Sequence, residues 1–234
     1  MLALVGSGEF LERMRAVDAM LLERASGVGR SHVVVIPTAS IPDGPGVVAR
    51  WSAMGERHFT GLGVSVDVVR IGDGENADDP QVAERMGAAS LIYFSGGKPG
   101  FLLRALRGSA AWSAALGVLA GGGVIAGCSA GAMVLGAAIL APSLRRPFAT
   151  EPALGLVPGC IILPHYDVLP RPICALAAWG APADLTLIGV EEDTALVGDG
   201  AQWQVLGRGG IELRRAGRRE RHEAGATVAL SPQP

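Results

Sequence analysis

The stretch "GGGVIAGCSAGAMVLG", residues 121–136, decides the fold. An apolar run of strand length, "GVIAG", ends in a serine set between small residues and glycines. "AGAMVLGAAIL", residues 130–140, follows with the composition of a buried helix. Gly127-Cys128-Ser129-Ala130-Gly131 fits G-x-S-x-G, in which a strand turns sharply into a helix and lifts a serine hydroxyl above the sheet edge. The flanking glycines relieve the crowding that such a backbone creates. Five small residues also arise by chance, so taken alone the stretch reads equally well as a glycine-rich turn without chemistry.

Outward from it, strand-length apolar runs recur at "LALVG" (2–6), "HVVVIPTA" (32–39), "VSVDVVRIG" (64–72) and "LIYFSGG" (91–97). Helix-length segments separate them, and in the first of these Phe10, Met14, Val17 and Leu21 are spaced to share one face. Strands apolar on both faces, joined by crossovers of helical length, predict an α/β chain. Its mostly parallel sheet is covered by helices on both sides, and ligands gather at the C-terminal ends of the strands. "CIILPHYD" (160–167), a helix over 172–180 and "LTLIGVEED" (185–193) continue the pattern. From Thr194 to the end, short polar strands alternate with Gly turns. This predicts antiparallel hairpins appended at a sheet edge, within one domain spanning 1–234 and without a second core.

Composition bounds the function. The 234 residues suffice for one large domain that buries roughly 70–75% of its unfolded surface. A net charge of -2 offers no field for nucleic acid or an anionic membrane, and the charge run "RRAGRRERHE" at 214–223 has mixed signs. The N-terminal apolar run is too short for a signal peptide, and Leu116–Leu140 is broken by glycines, so no membrane span is expected. Three cysteines (Cys128, Cys160, Cys174) at irregular spacing indicate neither disulfides nor zinc, and fit a cytoplasmic protein.

A serine hydroxyl needs a base, and the chain has four histidines. His32 starts a strand, His58 lies on a predicted helix and His222 sits in the charged hairpin. His165 ends an apolar strand on the ligand side and is the best placed. The base needs an acid behind it, for which Glu191, Glu192 and Asp193 follow a strand and Asp167 lies two residues from His165. An oxyanion would need donors, and the N–H of Ala130, after the serine, and of the Gly96–Gly97 turn are suited to that. Each feature alone has a bland counterpart: a histidine satisfied by a carbonyl, a solvated acidic turn, an ordinary βα turn. "GSGE" at 6–9 is a weak Gly turn that lacks the dinucleotide spacing.

Together, "LALVGSGEF", "VVVIPTAS", "LIYFSGGKPGFLLRAL", "VIAGCSAGAMVLG", "GLVPGCIILPHYDVLPR" and "LIGVEEDTALVGDG" resemble the dipeptidase E and cyanophycinase family of serine peptidases, in the family's order and over almost the whole chain. The resemblance implies a three-layer αβα sandwich, flavodoxin-like and of the class I glutamine amidotransferase type. It also implies hydrolysis of small peptides with an aspartyl preference, and no metal or organic cofactor. Carried over, Ser129 matches the nucleophile, His165 the base, Glu192 the acid, with Asp167 and Glu191 as alternatives, and Gly97 with Ala130 the oxyanion donors. Lys98-Pro99 departs from the Asn or Gln that relatives often carry after the glycine pair. Lys98 and Arg171 are the candidates to hold a substrate carboxylate.

Two other readings stay open. An α/β-hydrolase esterase would use Ser129, Asp193 and His222 in that chain order. A binding or regulatory protein would keep the fold without turnover, and the Lys98-Pro99 departure is its support. A homodimer is the expected assembly.

Overall fold

Alternation along the first strand sets up the layers. In β1 (Leu2–Val5) every residue is buried, Leu2 and Leu4 in one apolar cluster and Ala3 and Val5 in another. The strands parallel to it are β2 (His32–Ile36), β3 (Ser65–Val68), β4 (Leu91–Phe94) and β5 (Val124–Cys128), arranged β1-β5-β4-β2-β3, and the split continues through β2, β4 and β5. Val33, Val35, Leu91 and Tyr93 face one side, Val34, Ile36, Ile92 and Phe94 the other. A sheet apolar on both faces must be covered twice. Helices α1 (Arg15–Ala25) and α2 (Pro45–Thr60) bury residues against the first face. Helices α3 (Pro80–Gly87), α4 (Pro99–Leu106) and α5 (Ala110–Ala120) bury theirs against the second. The computed structural model describes residues 1–25, 31–72, 76–141, 149–170, 172, 174, 182, 184–200 and 202–230. The expected αβα sandwich is what it contains; Phe10, Met14, Val17 and Leu21 share one buried cluster, but the helical face expected of their spacing holds only for Val17 and Leu21, since α1 begins at Arg15 and Phe10 has φ 63°.

Two expectations are revised. The helix expected over 130–140 stops after α6 (Ala130–Leu135), and β6 (Gly136–Leu140) takes over in extended form. Local composition favours helix there, but β6 pairs in parallel with β8 (Val157–Leu163) and antiparallel with β7 (Thr150–Pro152), and tertiary pairing overrides propensity. A side chain at Gly136 would come within 2.8 Å of the Cys160 carbonyl oxygen, so glycine permits that pairing.

The second revision concerns the C-terminal hairpins, which divide between two sheets instead of sharing one edge. β10 (Thr194–Asp199) runs antiparallel beside β1 and carries β11 (Gln202–Gly207) and then β14 (Thr227–Ala229) into the first sheet, making eight strands. β12 (Gly210–Arg215) and β13 (Arg218–Glu223) join a six-stranded sheet beside β9 (Thr186–Val190), in the order β13-β12-β9-β8-β6-β7. Alternating polar strands announce hairpins but not which edge they join; here Ile211 and Leu213 pack into the same apolar cluster as Ile162 and Ile188. The helix expected over 172–180 lies outside the described residues except for Pro172 and Cys174. Among the described residues, no helix is long and apolar enough to cross a membrane.

Candidate active site

Ser129 leaves β5 with φ 51° and ψ −113° and begins α6, the strained strand-to-helix turn expected of the motif. The neighbouring glycines are sterically required. A Cβ on Gly127 would lie 2.4 Å from the Gly131 carbonyl, and one on Gly131 would lie 2.3 Å from the Phe94 carbonyl oxygen. The Ser129 N–H donates to the Val5 carbonyl at 3.0 Å, tying the turn to β1.

The second sheet supplies the histidine. After β8, His165 adopts φ 54°, and the next residue, Tyr166, donates its N–H to the Val190 carbonyl of β9 at 3.1 Å. The Tyr166 ring lies where Gly189 has no side chain, and its hydroxyl donates to the buried Glu212 carboxylate. With the turn so anchored, His165 Nε2 lies 3.0 Å from Ser129 Oγ, and His165 Nδ1 lies 2.8 Å from Glu192 Oε1. The His165 and Glu192 side chains are 38% and 35% exposed, so the relay opens to solvent on this side.

The other acids are engaged elsewhere. Asp167 Oδ1 accepts the Glu192 N–H at 2.8 Å, which orients the Glu192 backbone, and its carboxylate is not on the histidine. Glu191 forms an ion pair with Arg221 and accepts the Gly210 N–H at 2.7 Å; the Arg221 hydrogen bonds hold its carboxyl below the ordinary range. Asp193 pairs with Arg13 Nε at 2.6 Å, and His222 lies on β13, opposite Ile211 at the outer edge of the second sheet. The relay of Ser129, Asp193 and His222 is therefore not assembled.

Gly97, at φ 142°, passes so close to the Ala39 carbonyl that an added Cβ would lie 2.2 Å from its oxygen. A Cβ on Gly96 would lie 3.2 Å from Ser129 Cβ, which places this loop against the serine. Ala130 heads α6, so its N–H has no partner within the helix. Lys98 is 60% exposed, and its Nζ is 3.2 Å from Asp43 Oδ1. Arg171 lies outside the described residues.

The sequence reading missed Glu9. It is 5% exposed, its Oε1 accepts the Gly96 N–H at 3.0 Å, and its Oε2 accepts from Cys128 Sγ at 2.9 Å. Burial pushes the Cys128 thiol well up, and the nearby Glu9 adds to this, so Cys128 is a donor and not a rival nucleophile. The available signal was the glutamate in "GSGEF", directly after the first strand.

Set beside known proteins, residues 2–206 match the model described as Peptidase family S51. The cyanophycinase of Synechococcus elongatus is 29% identical over 224 residues, covering 89% of this chain and 66% of that protein. The cyanophycinase of Nostoc sp. is 27% identical over 219 residues, covering 89% and 71%. This chain thus spans just under two thirds of the length of the first of these relatives. The crystal structure of a peptidase from an acI-B1 actinobacterium matches with a TM-score of 0.89 and 30% identity, covering 98% of this chain and 96% of that one. A putative peptidase E protein from Listeria monocytogenes EGD-e shares the fold, with a TM-score of 0.61 at 20% identity over 96% of this chain and 98% of that one.

Proposed function

The chain belongs to peptidase family S51, and from that membership we propose that it hydrolyses small peptides through an acyl-enzyme on Ser129, with His165 as base and Glu192 as the acid behind it. One observation carries the reading: the serine hydroxyl, both imidazole nitrogens and one carboxylate form a continuous relay at 3.0 and 2.8 Å. Donation of the Nδ1 hydrogen to Glu192 leaves the Nε2 lone pair facing the serine hydroxyl. Ser129 Oγ attacks the peptide carbonyl as its proton passes to Nε2. The resulting oxyanion is met by the N–H groups of Gly97 and Ala130. Collapse expels the amine, which takes its proton from Nε2, and a water activated by the same nitrogen then releases the acid.

We extend the proposal to peptides containing an aspartyl residue. Support comes from the kinship with proteins called cyanophycinases. Lys98 pairs with Asp43 through one of its three ammonium hydrogens and is 60% exposed, which leaves donors for a substrate carboxylate. Arg171 keeps its proposed part in holding that group. The three free thiols suit a cytoplasmic setting.

A serine-directed fluorophosphonate tests the chemistry. Labelling of the wild type, its loss in Ser129→Ala and His165→Ala, and its retention in His222→Ala are expected. Labelling that persists in Ser129→Ala overturns the assignment. A panel of Asp-X, β-Asp-X and Xaa-Asp peptides tests the substrate class, and tight binding without cleavage would make this a binding protein.

A further inference from the structure

We propose that Glu9 is a positioning residue for the oxyanion side of this site, an inference that rests on the serine-hydrolase reading above. Its carboxyl group braces two strand ends at once. One oxygen holds the N–H of Gly96, the residue before the Gly97 donor; the other holds the thiol of Cys128, the residue before the nucleophile. The distance between the two oxygens of one carboxyl group is fixed by covalent geometry, so the clamp fixes how far the glycine loop stands from the serine turn. Gly96-Gly97 needs such a restraint. Two consecutive glycines have wide backbone freedom, and the close approach of Gly96 to Ser129 and of Gly97 to Ala39 forbids side chains that would limit it. Holding the Gly96 N–H fixes the Ser95–Gly96 peptide plane, and the Lys98 N–H donating to the Ala39 carbonyl at 2.6 Å fixes the Gly97–Lys98 plane, so the intervening peptide that carries the Gly97 N–H is held between two anchored neighbours. A donor aimed before the charge develops contributes to rate, whereas one that must be reoriented during the reaction contributes less. Glu9 is 5% exposed and touches Gly96 and Cys128, the neighbours of the donor and of the serine, so it acts through them.

The test compares Glu9→Gln with Glu9→Leu, and measures the two constants of fluorophosphonate labelling, the maximal rate and the half-saturating concentration, together with thermal unfolding. Glutamine keeps a carbonyl oxygen for the Gly96 N–H; leucine has similar bulk and no acceptor. The expected result is a maximal rate lowered about 100-fold in Glu9→Leu, the loss typical of one oxyanion donor. The half-saturating concentration should stay within about threefold, and Glu9→Gln should recover to within about tenfold of the wild type. Should Glu9→Leu fail to fold, Glu9→Asp, which withdraws the oxygens by one methylene, carries the same expectation. A wild-type rate in Glu9→Leu or Glu9→Asp overturns the proposal. So does a Glu9→Gln rate as low as that of the leucine variant. Failure of the underlying reading looks different, because the wild type itself would then not be labelled at Ser129.

Discussion

The two halves of the site are built by different means. The serine half is set by backbone. Gly127, Gly131, Gly96 and Gly97 each have an atom within 3 Å of where a side chain would begin, and Ser129 is wedged among them with a left-handed φ. The histidine half is set by side chains. The Tyr166 ring seats the turn on β9, Asp167 orients Glu192, and His165 and Glu192 themselves stand about a third exposed. Close packing tolerates no change of shape, whereas a side-chain scaffold at the surface yields locally. Substitutions of the packed glycines in the serine half should therefore cost folding and activity together, and those of the exposed His165 and Glu192 activity alone.

The largest effect should come from Gly131→Val, whose side chain would collide with the Phe94 carbonyl. Urea unfolding should show a loss of at least about 3 kcal/mol, if soluble protein is obtained at all. Next come His165→Ala and Glu192→Gln. Turnover of a cleaved peptide should fall by roughly 10²- to 10⁴-fold while unfolding free energy stays within about 1 kcal/mol. A large loss of stability in either would erase the contrast between the halves.

A third prediction sharpens the contrast with pH. Burial pushes the Glu212 carboxyl up, but hydrogen bonds from Tyr166, Arg214 and Arg219 outweigh it and hold it at about 2. Arg221 likewise keeps Glu191 low. A carboxyl depressed on folding stabilises the protein above its ordinary value, and that stability is lost as the pH falls toward the depressed one. The sheet that carries His165 should thus weaken from about pH 4.5 downward. For Glu212 the contribution is on the order of 2–3 kcal/mol. Glu212→Gln should lower the melting temperature at pH 7, and flatten its decline between pH 5 and 3 in thermal scans. The smallest effect belongs to Lys98→Ala, which removes an exposed ion pair; unfolding should shift by no more than about 0.5 kcal/mol.

Much of the serine half was readable in the chain, because steric demands appear as glycines at fixed offsets from Ser129 and from "LIYFSGG". His165 was readable from its place after an apolar strand. Three adjacent acids were harder. Glu191, Glu192 and Asp193 point to Arg221, His165 and Arg13, partners far away in sequence, and no local periodicity assigns them. Glu9 escaped for the same reason, its partners being Gly96 and Cys128. The strand at 136–140 was hidden by its helix-like composition, since pairing with β7 and β8 makes it extended.

The place of β1 has a consequence for how the molecule comes into being. Leu2 pairs with Ile125 on one side and Gly198 on the other, so β1 waits for a neighbour almost two hundred residues later in the chain. Until then its apolar backbone edge is a template for other nascent chains, and the loops at its end have nothing to close against. Chains interrupted before Thr194 should accumulate as aggregates, and a formed site should appear only in chains that include β10.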